Sequence, residues 1–137
     1  MFVLDSDILS LYQRGNLAVT REVSRHDSTE LAVTVISVEE QLSGWYTLLR
    51  RVKQRSDLAR AYRRLGEAVV FLAGFPILSL TEQAILCYEG LLAMKLGVRR
   101  MDLRIASIVL ENSATLVTRN VRDFQRVPGL VVENWAL

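Results

Sequence analysis

Short apolar runs alternate along this chain with longer stretches in which apolar residues recur at helical spacing. The short runs are typical of buried strands, and the longer stretches are typical of amphipathic helices. No tight hairpin signal such as Asn-Gly joins two runs, so helices are expected to connect parallel strands. The sequence therefore predicts an α/β fold with a mainly parallel central sheet flanked by helices. The predicted strands are Phe2–Leu4, Leu31–Ile36, Ile77–Leu78, Thr115–Thr118 and Leu130–Val132.

Capping residues predict where several helices begin. Ser37 and Glu40 have the spacing of a capping box, which places a helix start at Ser37. Ser56-Asp57 is expected to cap the next helix, and Thr81 is expected to open another. A further helix, apolar on most sides, is predicted to begin at Asp102.

The size and composition of the chain indicate one compact unit. Its 137 residues suit a single domain, which is predicted to span residues 1–137. Half of the residues are hydrophobic and 23% are charged, a balance that excludes a disordered chain. The longest apolar run, residues 68–80, is interrupted by Gly74 and Pro76 and is too short to cross a bilayer. The first residues lack the basic lead of a signal peptide, so we expect a cytoplasmic protein that does not associate with membranes.

The single cysteine and the single histidine exclude several kinds of site. One thiol cannot form a disulfide within the chain or a thiolate zinc site, and Cys87 is expected to be buried and inert. One imidazole excludes a ribonuclease that uses paired histidines. His26 itself is expected to lie solvated at a helix end. Hydrolytic chemistry in this chain must therefore rely on other side chains.

Four oxygen-bearing side chains stand at places that a parallel sheet brings to one edge. Asp5 directly follows the first predicted strand, and Asn120 follows the fourth. Glu40 and Asp102 stand in the first turns of predicted helices. Hard oxygen ligands of this kind suit Mg²⁺ or Mn²⁺, and a metal held there would activate a water molecule for phosphodiester hydrolysis. Asn120 could equally be a turn residue.

Each of the three carboxylates also has a purely structural interpretation. Asp5 could cap the first helix, although Ser6 and Asp7 are alternative caps that would leave Asp5 available. Glu40 could serve the capping box, and Asp102 could cap its own helix. These alternatives stay open, because the metal interpretation depends on distant residues meeting at one edge of the sheet.

The net charge of +2 is small, but the cations are grouped. Two groups in the middle of the chain are expected to be solvated helix faces. Two later groups flank the predicted acidic site, and arginines around such a site suit a polyanionic substrate. Arg100, Arg104 and Arg119 are therefore predicted to bind substrate. The first middle group is Arg50, Arg51, Lys53 and Arg55, and the second is Arg60, Arg63 and Arg64. The first later group is Lys95, Arg99, Arg100 and Arg104, and the second is Arg119, Arg122 and Arg126.

Four motifs carry a family resemblance, and they are residues 3–10, 36–45, 102–107 and 118–130. Together they resemble the PIN-domain ribonucleases, and most closely the VapC toxins of type II toxin–antitoxin pairs. The resemblance keeps the order and spacing of the motifs over essentially the whole chain. It implies a three-layer α/β/α fold and a Mg²⁺-dependent endoribonuclease, with Mn²⁺ as a possible substitute.

The resemblance also implies roles for individual residues. Asp5, Glu40 and Asp102 take the metal-ligand positions of the family. Ser6 matches the small hydroxyl residue that orients the first aspartate.

The fourth acidic position of the family departs from its usual residue here. Many relatives carry aspartate where this chain has Asn120, although asparagine is a known variant in the toxin branch. Asn120 is counted with the catalytic set, but the change weakens a second metal position. Asp123 lies in the same loop and could substitute, so the number of metal ions stays open.

The resemblance further implies partners and a substrate. Relatives form homodimers and bind a small antitoxin whose C-terminal segment reaches into the acidic site. They cut structured RNA, often transfer RNA, and leave a 5′-phosphate. Nothing in the sequence identifies the RNA.

Two other functions compete with that of a nuclease. A degenerate PIN module that binds RNA or a partner protein is the first alternative, because of Asn120. The second is a haloacid-dehalogenase-type phosphohydrolase with Asp5 as nucleophile and Asp7 as acid. That enzyme needs a later lysine, and neither Lys53 nor Lys95 follows a clear strand.

Overall fold

A computed structural model describes all 137 residues. Five strands form one sheet in the order β3-β2-β1-β4-β5, and every neighbouring pair is parallel. The predicted α/β fold with a parallel central sheet is confirmed. The strands are β1 Phe2–Leu4, β2 Leu31–Thr34, β3 Ile77–Leu78, β4 Thr115–Val117 and β5 Val131–Glu133.

Seven α-helices and one 3₁₀ turn connect these strands. No helix combines the length and the apolar character that crossing a membrane requires. The helices are α1 Ser6–Gln13, α2 Leu17–Ser24, α3 Val35–Arg51, α4 Arg55–Ala73, α5 Glu82–Ala93, α6 Arg100–Glu111 and α7 Val121–Phe124, and the 3₁₀ turn is Ser28–Glu30.

The sheet separates two hydrophobic clusters. Val3 belongs to one cluster and Leu4 to the other, as expected for neighbouring residues that point to opposite faces of a strand. The first cluster contains buried residues of α5, α6 and α7, and the second contains those of α1, α2 and α4. Strand β1 is therefore covered on both faces, and the helices and sheet form three layers.

Helix α3 begins earlier than the capping pattern predicts. The helix starts at Val35, and the Thr34 side chain caps it by accepting a hydrogen bond of 3.1 Å from the Ser37 N–H. Ile36, predicted to end the strand, lies inside the helix and is buried in the first cluster, so packing overrides its strand propensity. The predicted capping box of Ser37 and Glu40 is wrong, and Glu40 is free for another role.

Two other helix starts also differ from the prediction. Helix α4 begins at Arg55 after Gln54, with no side-chain cap, so Ser56-Asp57 does not cap it. Helix α6 begins at Arg100, which places Asp102 in its first turn and not at its cap. The residue with extended backbone before each helix is Gln54 for α4 and Arg99 for α6. Each of them comes earlier in the chain than the residue that the sequence offers as the better cap.

His26 lies in an aromatic cluster and not in solvent. Its ring stacks on Trp135 at a centroid distance of 4.8 Å and an interplanar angle of 3°. Phe2 contacts both rings, at 4.4 Å from His26 and 5.3 Å from Trp135. The cluster joins the start of β1 to the C-terminal segment. Cys87, expected to be buried, is half-buried and packs against the first hydrophobic cluster.

Replacing Thr34 with valine is expected to lower the free energy of unfolding by about 1–2 kcal/mol. Valine has nearly the same shape, but it leaves the buried Ser37 N–H without an acceptor. Thr34→Ser keeps the hydroxyl and should lose much less. Urea denaturation of both variants tests this; equal stability of the valine variant and the wild type would show that the cap contributes little.

Candidate active site

A small cleft lies at the carboxyl-terminal edge of the sheet, where β1, β2 and β4 end. Its volume is about 90 Å³. All four predicted oxygen-bearing residues line it, although Asp5 and Asn120 are far apart in sequence. The lining residues are Asp5, Ser6, Asp7, Glu40, Arg99, Asp102, Ile105, Asn120 and Phe124.

Asp5 both caps helix α1 and faces the cleft. Its Oδ1 accepts a hydrogen bond of 3.1 Å from the Ile8 N–H, and its own N–H donates to the Val117 carbonyl at 3.0 Å. The second bond ties the end of β1 to the end of β4. The expectation that Ser6 or Asp7 caps the helix in place of Asp5 is therefore wrong. A carboxylate has several lone pairs, so one amide bond does not exhaust its capacity as an acceptor.

Glu40 is held on helix α3 by contacts with α1. The Ser6 hydroxyl donates to Glu40 Oε1 at 3.2 Å. The neighbouring Gln41 side chain donates to the Ser6 carbonyl at 3.1 Å and to the Ser10 hydroxyl at 3.2 Å. Ser6 was expected to orient Asp5, but its hydroxyl bonds to Glu40. These bonds fix the distance between the two helices at the cleft.

Asp102 is buried in the first turn of α6 and is paired with Arg99. Arg99 Nε donates to Oδ2 at 3.2 Å, and Arg99 Nη2 lies 3.4 Å from Oδ1. The Asp102 side chain is 6% exposed, whereas that of Arg99 is 77% exposed. The hydrogen bond to Asp102, aided by the charges of Asp102, Glu40 and Asp123, raises the pKa of Arg99. Arg99 is thus a cation within the cleft that the substrate-binding prediction missed.

Asn120 and Asp123 form a local pair beside the cleft. Asn120 Nδ2 donates to Asp123 Oδ2 at 3.1 Å, and the Asn120 N–H donates to the buried Thr118 hydroxyl at 3.0 Å. Asn120 lines the cleft, whereas Asp123 does not. The role of Asp123 here is to hold the Asn120 amide, and its substitution for a fourth acidic ligand is not supported by this geometry.

Burial and mutual repulsion perturb two of the carboxylates. Burial raises the pKa of Asp5 to about 6, with smaller increases from the charges of Asp7 and Asp102. Hydrogen bonds from Thr118 and the Ile8 N–H oppose this increase. Burial also raises the pKa of Glu40, and the Ser6 hydrogen bond lowers it. Such shifted carboxyl groups in a cleft are typical of functional sites.

The three arginines predicted to bind substrate lie in different surroundings. Arg119 is at the rim, where its Nη2 is 3.7 Å from Asp7 Oδ2. Arg104 packs over the Tyr88 ring at 5.2 Å and does not line the cleft. Arg100 is exposed at the start of α6 and does not line the cleft either. Of the three, only Arg119 lies beside the acidic residues, because the helical turn carries Arg100 and Arg104 away from Asp102.

The donor types in the cleft suit a hard divalent cation. Carboxylate, amide and hydroxyl oxygens are what Mg²⁺ and Mn²⁺ prefer, and the absence of histidine and cysteine from the lining disfavours zinc. No three acidic, histidine or cysteine side chains are close enough to bind one ion together. Binding of one ion by all three would require the carboxylates to draw together.

Known proteins resemble this chain both locally and over the whole fold. Ribonuclease VapC2 of Rickettsia felis is 53% identical over 34 residues, which is 25% of this chain and 25% of that protein. The matched part thus spans only a quarter of the curated relative. No family model matches the sequence.

Solved structures match nearly the whole chain. A chain of VapBC-1 from nontypeable Haemophilus influenzae superposes with a TM-score of 0.78 and 24% identity, covering 99% of this chain and 98% of that one. A chain of a toxin–antitoxin complex from Klebsiella pneumoniae gives a TM-score of 0.71 and 19% identity, with 96% of each chain covered. The chain has the PIN-domain fold of the VapC toxins. At these identities the superpositions show the fold alone and not the chemistry.

Asp5→Asn is expected to stabilise the metal-free protein at neutral pH. The pKa of Asp5 is higher in the folded state than its ordinary value of 3.8, so ionisation destabilises the fold as the pH rises from about 4 to about 6. In EDTA the variant should exceed the wild type by up to about 3 kcal/mol near pH 7.5 and by about 1 kcal/mol near pH 4.5. Asparagine keeps an acceptor for the Ile8 N–H.

Urea denaturation at the two pH values measures this difference. Glu39→Gln is the matched control, since Glu39 is exposed on α3 and does not line the cleft. A variant that is less stable than the wild type at both pH values would mean that Asp5 serves the fold chiefly as a cap.

Proposed function

We propose that this protein is a metal-dependent endoribonuclease and the toxin of a toxin–antitoxin pair. The observation that carries the proposal is the convergence of Asp5, Glu40 and Asp102 on one cleft at the carboxyl edge of the sheet. The local similarity to a ribonuclease and the fold shared with toxin–antitoxin complexes support it.

The carboxylates of the cleft would hold Mg²⁺ or Mn²⁺. The chemistry supplied there would be a lowered pKa for a water nucleophile and compensation of negative charge on the phosphoryl and leaving oxygens. Asp5, Glu40 and Asp102 are the proposed ligands, and Asn120 offers a neutral oxygen at the same edge. Three carboxylates and one amide suit one ion better than two.

The protein side chains position the reacting groups. Ser6 holds Glu40 toward the cleft, and the Ile8 N–H fixes Asp5 at the end of β1. Arg119 at the rim and Arg99 within the cleft are the cations nearest to an incoming phosphate. For Arg99 this requires exchanging Asp102 for the phosphate, and its exposed guanidinium is free to turn.

The substrate and the partners are proposed on the family resemblance. Structured RNA, with transfer RNA as the first candidate, is the proposed substrate. A cognate antitoxin whose C-terminal segment reaches the acidic cleft, and a second copy of the chain, are the proposed partners. The small, polar cleft suits a phosphate and its metal better than a bulky organic ligand.

Single substitutions in the cleft are expected to abolish RNA cleavage. Asp5→Asn, Glu40→Gln and Asp102→Asn should each lower the cleavage rate by about 100-fold or more, because each removes a ligand charge. The assay is cleavage of total RNA and of purified transfer RNA with Mg²⁺, resolved on denaturing gels. EDTA should stop cleavage by the wild type, and added Mn²⁺ should restore it.

Glu39→Gln controls for the loss of a charge one residue away from Glu40. It should cleave like the wild type, because Glu39 does not line the cleft. Cleavage that survives EDTA or the loss of Asp5 would contradict the mechanism. RNA binding without cleavage under any metal would favour the degenerate module, and release of phosphate from a monoester would favour the phosphohydrolase.

Metal binding should also be visible without an activity assay. Saturating Mn²⁺ is expected to raise the melting temperature of the wild type by about 5 °C or more, since a ligand at about 100 times its Kd adds about 2.7 kcal/mol. Asp5→Asn and Asp102→Asn should show little increase, whereas Glu39→Gln should follow the wild type. An equal rise in all four proteins would place the metal elsewhere.

A further inference from the structure

The two basic groups in the middle of the chain border one groove. Arg51 and Lys53 lie at the end of α3 and just after it, and Arg60 and Arg64 lie on α4. These four side chains line a groove of about 560 Å³ at the corner between the two helices. The sequence suggests two separate solvated helix faces, but folding brings two cations from each group to the same groove.

Most of the charge in this groove is not neutralised. Arg60 has a carboxylate within reach, with its Nη1 4.0 Å from Asp57 Oδ1. Arg51, Lys53 and Arg64 have no carboxylate within 4 Å. A surface that concentrates unpaired cations attracts a polyanion, and the attraction weakens with salt.

The groove leads to the acidic cleft through shared lining residues. Leu48 belongs both to the basic groove and to a second groove, between α1 and α3, that also contains Trp45. That second groove shares Ser6 and Glu40 with the cleft. Glu40 and Arg51 lie about 16 Å apart along α3, at 1.5 Å per residue. One continuous surface therefore runs from the acidic residues to the unpaired cations.

Trp45 stands along this path and is not part of the core. It is half-buried and belongs to neither hydrophobic cluster. It has no aromatic neighbour in contact, in contrast to Trp135. It lines the groove between α1 and α3 and also a neighbouring depression that contains Arg14 and Arg64. Glu67 also lines that depression, so the indole lies beside two arginines and one carboxylate. A partly exposed indole beside arginines is a surface on which a nucleic-acid base can stack.

We propose that Trp45 and the basic groove of Arg51, Lys53 and Arg64 form an RNA-binding track that holds the substrate strand beyond the acidic cleft. This inference rests on the proposed nuclease function, since the cleft would hold the scissile phosphate while the track binds the flanking nucleotides. RNA fits better than an acidic protein segment, because it supplies both the regular phosphates for the cations and the flat bases for the indole.

The track would supply an attraction for RNA that the acidic cleft lacks. Three carboxylates repel a polyanion, so a substrate needs an attraction located elsewhere on the same surface. Cations about 16 Å away can supply it without occupying the ligands of the metal. Loss of the track should therefore weaken RNA binding and raise KM while leaving kcat nearly unchanged.

The test is binding of a fluorescein-labelled single-stranded oligouridylate RNA, followed by fluorescence anisotropy in EDTA so that no cleavage occurs. The Arg51→Gln/Arg64→Gln double variant is expected to bind about tenfold more weakly than the wild type at low salt. Its plot of log K against log salt between about 50 and 200 mM should be shallower by about 1.4, for two lost phosphate contacts on a single strand.

Arg63→Gln is the matched control. Arg63 lies on α4 beside Arg64, but it pairs with Glu67 at 3.7 Å and does not line the groove. It should keep both the affinity and the salt slope of the wild type. Wild-type binding and slope in the double variant, or equal losses in the double variant and the control, would overturn the proposal.

Trp45 is tested separately from charge. Trp45→Ala should weaken binding by about fivefold or more without changing the salt slope, and Trp45→Phe should restore most of the affinity, because stacking needs only an aromatic face. Melting temperatures of the variants verify folding. An unchanged affinity in a folded Trp45→Ala variant would remove Trp45 from the track.

The outcomes separate the track from the nuclease. RNA binding that depends on Arg51 and Arg64, without cleavage under any metal, would keep the track and refute the nuclease. Cleavage with a KM unaffected by the double variant would keep the nuclease and refute the track. A polyglutamate peptide that displaces the RNA and binds independently of Trp45 would assign the groove to an acidic protein and overturn the RNA proposal.

Discussion

The parallel pairing of β1 between β2 and β4 is the constraint on which the site depends. Parallel strands end at the same edge, so residues that follow different strands become neighbours however far apart they are in sequence. The chain passes from β1 to β2 on one side and later returns to β4 on the other, which makes the end of β1 the switch point of the sheet. Asp5 is the first residue after this strand, and its N–H is bonded to the end of β4.

Acidic residues at this position reduce the stability of the fold. Burial of Asp5 favours its neutral form, and the charges of Asp7 and Asp102 add to that effect. The fold tolerates the carboxylates through specific partners: the Ile8 N–H for Asp5, the Ser6 hydroxyl for Glu40 and the Arg99 guanidinium for Asp102. Each partner offsets part of the free-energy cost of burying its carboxylate. A divalent cation would offset more of it, because it would bring two positive charges to the cleft.

The pattern of apolar residues was sufficient to predict the sheet. Strands with buried side chains on both faces have a recognisable composition, and their alternation with helices limits the topology to a few arrangements. The convergence of Asp5, Glu40, Asp102 and Asn120 followed from that topology alone. Orientation of side chains within a helix was less predictable, as Arg100 and Arg104 illustrate: both flank Asp102 in sequence, but neither lines the cleft.

The errors at helix starts have a common physical origin. Thr34 and Ser37 are both good caps, and local sequence cannot choose between them. Burial of Ile36 in the first hydrophobic cluster decides in favour of Thr34, and this depends on residues far away in the sequence. His26 was misplaced for the same reason, since its partners Phe2 and Trp135 lie near the two ends of the chain. Packing against distant residues therefore decides between local structures that the neighbouring sequence makes equally favourable.

Distance allows two opposite charge patterns to coexist on one small surface. The acidic cleft and the unpaired cations of the basic groove are separated by about 16 Å along α3, which is about twice the screening length of about 8 Å at physiological salt. At that separation the cations neither neutralise the carboxylates nor compete with a metal for them. A polyanion as long as a few nucleotides is large enough to contact both regions, whereas a single phosphate is not. The proposed track would therefore favour long RNA substrates over short ones.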